Sequence, residues 1–119
     1  MSGIPLDVRV RILDLSGGAE EGITEEVGPF PDADEATQFA RAYVRDSLER
    51  CRQPGMDGRA VLAAWLAYGE DAEVIAEPLG TVWTSRPEVQ ILADHPADED
   101  ERDWRALDPR RYASDEAEE

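Results

Sequence analysis

"GPFPDADEATQFARAYVRDSLERCRQPG", residues 28–55, reads as one amphipathic helix, and the rest of the fold can be built outward from it. Ala36, Phe39, Ala40, Tyr43, Val44, Ser47, Leu48 and Cys51 recur at spacings of three and four, which stacks them into a single apolar stripe at 3.6 residues per turn. Asp32 followed by Glu35 has the spacing of a capping box with Asp as the cap. The first turn is acidic and the last holds Arg50 and Arg52, as the helix dipole favours, and Pro54-Gly55 stops the element. The pattern predicts a helix over about 32–52 with one long face to bury.

Strands on either side supply the surface for that face. In residues 6–15, Leu6, Val8, Val10 and Ile12 alternate with Asp7, Arg9 and Arg11, the period of a half-buried strand, and the alternation breaks at Leu13, where a bulge or the strand's end is expected. "SGGAEEG" is a turn-rich connection, and "ITEEV" is a second strand with Ile23 and Val27 on one face, antiparallel to the first. Beyond the long helix, "MDGRAVLAAWLAYGEDAEVIAEP" fits either a short helix or a buried strand. Four alanines in the eight positions from Ala60 to Ala67 favour a helix over about 58–68, capped by Asp57 and stopped at Gly69. Residues 72–76, "GTVWTS" and "EVQILAD" read as three further extended pieces, the last with Val89 and Ile91 on one face. The sum is a small two-layer α+β domain, mainly an antiparallel sheet with the long helix packed on it. Residues 1–93 form that domain, 94–113 an acidic segment folded back on it, and 114–119 a disordered tail.

The composition excludes several function classes. With 119 residues there is room for one core, and no metal or disulfide is needed to fold it. The net charge is −16, and all twelve basic residues are arginine. Phosphate and anionic lipid would be repelled, so neither direct nucleic-acid binding nor membrane association is expected. A basic protein partner is compatible. A GC-rich genome or a salt-adapted proteome would also give this balance, so acidity alone is no partner code. The opening "MSGIPLDVRV" carries no signal-peptide pattern, and the single Cys51 suits a reducing compartment; the cytoplasm is the expected location.

Nothing in the chain assembles a catalytic constellation. His95 is the only histidine, which removes His-pair metal sites and leaves one formal nucleophile–base pair, Cys51 with His95. Cys51 falls on the apolar stripe, where a cysteine is ordinarily an inert small hydrophobe. "DHPADEDERD" is rich in oxygen ligands, but Pro96 and Ala97 interrupt the alternation and the glycine that a calcium loop needs is absent. "SGGAEEG" lacks the lysine and the following helix of a phosphate loop. Arg9 with Arg11, and Arg41, Arg45 and Arg52, form two small basic sets that are better used in ion pairs. Tyr68, Glu70 and Asp71 are the candidates for a carboxylate site, although neighbours on a turn rarely converge on one cleft.

From Asp94 onward eleven acids stand against four arginines, a net −7, yet "ERDWRALDPRRY" (residues 101–112) also carries Trp104, Leu107 and Tyr112. One helical turn after Asp103 puts Trp104 and Leu107 on one side, and Asp108-Pro109 ends it. These three are the candidate partner-binding residues, with closure of the domain's own core as the favoured alternative. The leading functional expectation is a small acidic protein without catalysis or cofactor that works through protein–protein contacts. One alternative is a small-molecule binder or enzyme using the carboxylates near Tyr68. Another is a nucleic-acid mimic that occupies a basic cleft. A homodimer is expected if Trp83 and Ile91 share a face that no helix covers.

Overall fold

A computed structural model of the chain describes residues 6–16 and 22–110. Four strands, β1 (Asp7–Asp14), β2 (Ile23–Phe30), β3 (Glu70–Glu77) and β4 (Gly80–Thr84), form one antiparallel sheet in the order β2-β1-β3-β4. Helices α1 (Ala33–Cys51) and α2 (Gly58–Tyr68) connect its two hairpins. A short helix α3 (Val89–Asp94) and a 3₁₀ turn (Trp104–Leu107) complete the chain. This is the two-layer α+β arrangement expected, with the long helix on the sheet.

The alternation in β1 sets which face is covered. Val8, Val10 and Ile12 are 2%, 0% and 0% exposed, and β3 adds Ala72, Val74 and Ala76 beside them. Phe39, Val44 and Leu48 of α1 and Val61 and Trp65 of α2 complete that core. The opposite face is an ion-pair ladder: Arg9 reaches Asp7 at 3.1 Å, and Arg11 reaches Glu26 at 3.1 Å and Glu73 at 3.8 Å. Such pairs at a wet surface are each worth less than about 1 kcal/mol, so they keep the face soluble more than they hold the fold.

Both long helices begin and end where local chemistry dictates. Asp32 accepts the Glu35 backbone N–H at 2.8 Å, and Asp57 accepts that of Ala60 at 2.9 Å. Gly69 donates to the Trp65 carbonyl at 2.7 Å and turns the chain directly into β3. At three glycines the fold leaves no room for a side chain: Gly69, where a Cβ would run into Trp65, and Gly28 and Gly58. Gly28 has φ +147°, and a Cβ there would sit 3.0 Å from the Val8 carbonyl, where the β1–β2 register shifts. At Gly58 it would meet the carboxylate and, at 3.0 Å, the Cα of Asp94, so this glycine lets α3 lie close against α2.

Three expectations are corrected. "EVQILAD" is not a strand but mostly α3. The Ser85 carbonyl accepts the N–H groups of Glu88 and Val89, which winds the chain into a turn, and the adjacent Leu92 and Ala93 are buried while Ile91 is 60% exposed. Ile23 does not share the face of Val27: the register shifts between Ile12 and Leu13, so Val27 is buried and Ile23 is 40% exposed. Trp83 and Ile91 form no common uncovered face. Trp83 packs on the core with the Arg41 guanidinium 5.6 Å from its ring centre, and Ile91 sits on α3. The condition set for a homodimer is therefore not met.

Candidate functional site

Trp104, Leu107 and Tyr112 have separate fates. Trp104 turns inward: its ring stands edge-on to Phe39 at 5.9 Å and lies 5.0 Å from Tyr43, centre to centre. Its Nε1–H donates to Asp46 Oδ2 at 3.1 Å, and Arg105 covers its outer side at 4.5 Å. Leu107 is 36% exposed. Tyr112 lies outside the described residues.

Asp46 is the residue that sequence reasoning missed. It is 7% exposed, and its two oxygens take Arg102 (Nε and Nη2, both 2.8 Å), Arg50 (2.8 Å) and the Trp104 indole. The sequence signal was there, because Asp46 lies seven residues from Phe39 and three from Tyr43, at the edge of the apolar stripe. Its spacing of four from Arg50 is also that of an ordinary surface ion pair on a helix. Several acids of "DHPADEDERD" also have structural tasks. Asp98 and Glu101 each accept the other's backbone N–H, Glu101 pairs with Arg45 at 2.9 Å, and Asp103 caps the 3₁₀ turn. Among the described residues no group of three His, Cys, Asp or Glu is placed to hold a metal ion.

The turn back from Asp46 leaves an apolar groove of ≈ 420 Å³ at the start of α1. Pro29, Phe30 and Pro31 form one wall, Leu107 and Pro109 the other, with Glu35 and Gln38 of α1 between them. Phe30 is 6% exposed and its ring lies tilted against Phe39, 5.4 Å centre to centre, so this wall is tied to the core. Asp32 and Asp34 flank the groove along the chain. The helix start contributes roughly +0.5 of a charge, which three carboxylates outweigh.

Asp71 does not converge with Tyr68 and Glu70, because β3 points its successive side chains to opposite faces. Glu70 lies on the helix side and Asp71 on the other. Asp71 Oδ1 accepts the Ser85 hydroxyl at 2.7 Å and the Ala72 N–H at 2.8 Å. Burial pushes its carboxyl above the usual range, against the pull of those two donors and Arg86. The folded state therefore binds this proton more tightly than the unfolded chain does. Stability supplied by Asp71 is full at low pH and falls as pH rises through its folded pKa. Asp71→Asn keeps the acceptor and removes the buried charge, so its melting temperature should overtake the wild type's as pH rises from about 3 to about 7. A pH-independent difference would contradict this.

Glu70 is held at three points. Tyr43 Oη donates to its Oε1 at 2.8 Å, its backbone N–H donates to Ser47 Oγ at 2.9 Å, and its carbonyl accepts the Trp65 indole at 3.0 Å. Burial, followed by this bond to Glu70, raises the Tyr43 phenol far above its usual pKa, so it stays a donor. No donor among the described residues reaches Glu70 Oε2. Glu70 borders a cleft of ≈ 620 Å³ with Asp14, Ser47, Arg50, Cys51, Gln53, Met56, Ala64, Tyr68 and Gly69. Tyr68 is 78% exposed at its mouth. The Cys51 thiol is pushed up by burial, the reverse of activation, and His95 sets Nδ1 2.9 Å from the Ile91 carbonyl.

No helix of the described residues is long and apolar enough to cross a membrane. No protein-family model, curated protein or solved structure matches the chain.

Proposed function

We propose that this chain is a small acidic interaction protein, without catalysis of its own, that captures a basic segment of another protein in the groove beside α1. The observation that supports this is the pairing of an apolar, preformed groove (Pro29, Phe30, Pro31, Leu107, Pro109) with the carboxylates of the α1 start in a chain of net charge −16. Apolar walls give an anchor residue a place to bury, and Gln38 offers both an amide donor and an acceptor to a peptide backbone. The surrounding negative field raises the encounter rate of a cationic partner and rejects acidic ones. A segment with lysine or arginine next to a leucine- or phenylalanine-sized anchor fits this description. The lone Cys51, which can form no disulfide within the chain, fits work in a reducing compartment such as the cytoplasm.

The reading makes a direct demand on peptide binding. Fluorescent decapeptides of four compositions, basic with an apolar anchor, basic only, apolar only and acidic with an anchor, are titrated against the full chain. Only the first should bind tightly, and raising salt severalfold should weaken it several times over. Leu107→Ala, at a 36%-exposed side chain, should cost about tenfold in affinity with little change in melting temperature. Equal binding of all four sets, or affinity that ignores Leu107, would end the proposal.

A further inference from the structure

We infer that the second cleft, around Glu70, is a binding site for an organic ammonium group, separate from the groove used above. Its electrostatics come from two independent sources. Asp14 and Glu70 bring two carboxylates to its wall. The C-terminal ends of both long helices open on it, α1 through Cys51 and Gln53 and α2 through Tyr68 and Gly69. Each such end carries about half a negative charge from carbonyls aligned along the axis. Among the described residues the one cation on the wall is Arg50, whose Nη2 is turned to Asp46 at 2.8 Å. The cleft is therefore negative beyond what Arg50 offsets.

Its walls say which kind of cation. Met56, Ala64, Cys51 and the Tyr68 ring are apolar and polarisable, and ≈ 620 Å³ is the size of a small-molecule site, far larger than a bare ion needs. An alkyl chain would lie along Met56 and Ala64, with its –NH₃⁺ donating to Glu70 Oε2 and resting near the face of Tyr68. Glu70 suits the task because its side chain and both backbone groups are already held by Tyr43, Ser47 and Trp65, so little ordering remains to be lost on binding. The same chemistry is presented by a free aliphatic diamine and by a lysine side chain.

The experiment is an amide-resolved NMR titration of the full chain with 1,5-diaminopentane, with Nα-acetyl-lysine methylamide, whose side-chain ammonium is free, and with 1,5-pentanediol as the uncharged control. The amines should give saturable shifts at Ser47, Ala64, Gly69 and Glu70, and the diol none. Glu70→Gln keeps an acceptor for Tyr43 but loses the charge, and should weaken amine binding about tenfold. Tyr68→Ala, at a 78%-exposed side chain that the fold does not need, should weaken it severalfold and carries the test if Glu70→Gln folds poorly. Tighter binding of the diamine assigns the site to a free amine, and tighter binding of the lysine analogue assigns it to a protein side chain. Shifts scattered over the acidic surface and unmoved by either substitution, or equal shifts with the diol, overturn the inference.

Discussion

Trp65→Ala is expected to cost about 3–5 kcal/mol, a large fraction of what a domain of this size has to spare. Trp65 is 2% exposed and is the largest fully buried side chain in the protein. It fixes α2 to the sheet, and its indole N–H donates to the Glu70 carbonyl at 3.0 Å, just past the Gly69 turn. Truncation removes the packing, opens a cavity that a sheet on one side and a short helix on the other cannot collapse, and frees the first residue of β3. The melting temperature should drop by about 10–20 °C in a thermal scan. Trp65→Phe separates the two contributions: it keeps most of the ring area and loses the hydrogen bond, for roughly 1–2 kcal/mol. An alanine variant within about 1 kcal/mol of wild type would mean that α2 is not anchored this way.

That tryptophan also marks how far the sequence could be read. The ends of α1 and α2 were legible because each carries its own punctuation, Asp32 and Asp57 at the starts and Gly69 at the end of α2. The covered face of β1 was legible because Val8, Val10 and Ile12 alternate without interruption. α3 was not, because six residues hold less than two helical turns and cannot distinguish period 2 from period 3.6. What decides α3 is tertiary: a buried Ser85 whose hydroxyl is tied to Asp71 and whose carbonyl starts the turn. Ile23 was misplaced for a related reason, since a register shift moves a side chain to the other face and leaves no mark in composition.

The candidate sites were legible in parts only. Grouping Glu70 with Asp71 follows from reading "GED" as a turn. β3 begins at Glu70 instead, and strand alternation then sends the two carboxylates to opposite faces. Neither the groove nor the Glu70 cleft has a linear signature, because each joins segments far apart in the chain. Pro29 meets Pro109 in one, and Asp14 meets Met56 in the other. The acidity, too strong to pass unnoticed in the sequence, proves to be partly structural: acids of the C-terminal segment cap turns and hold arginines before any partner is involved.

Asp46→Ala should cost about 2–4 kcal/mol, the second-largest loss expected. The carboxylate side chain is 10% exposed, while its partners Arg102 and Arg50 are 34% and 56% exposed. Deleting one member of a wholly buried pair costs about 3–5 kcal/mol because a charge is stranded without solvent. Here the arginines can turn to water, so the loss stays below the top of that range. What remains is the loss of three charge-assisted contacts and of the anchor for the Trp104 indole. Asp46→Asn keeps an acceptor and should fall between alanine and wild type. Trp104→Phe removes the N–H but keeps an aromatic ring on Phe39 and Tyr43. Combined with Asp46→Ala it should show a coupling of about 1 kcal/mol in a double-mutant cycle followed by urea unfolding. Strict additivity would show that indole and carboxylate do not act as one device. A coupled loss would instead make Asp46 the latch that holds the Trp104 turn to α1, and with it the Leu107–Pro109 wall on which the proposed peptide groove depends.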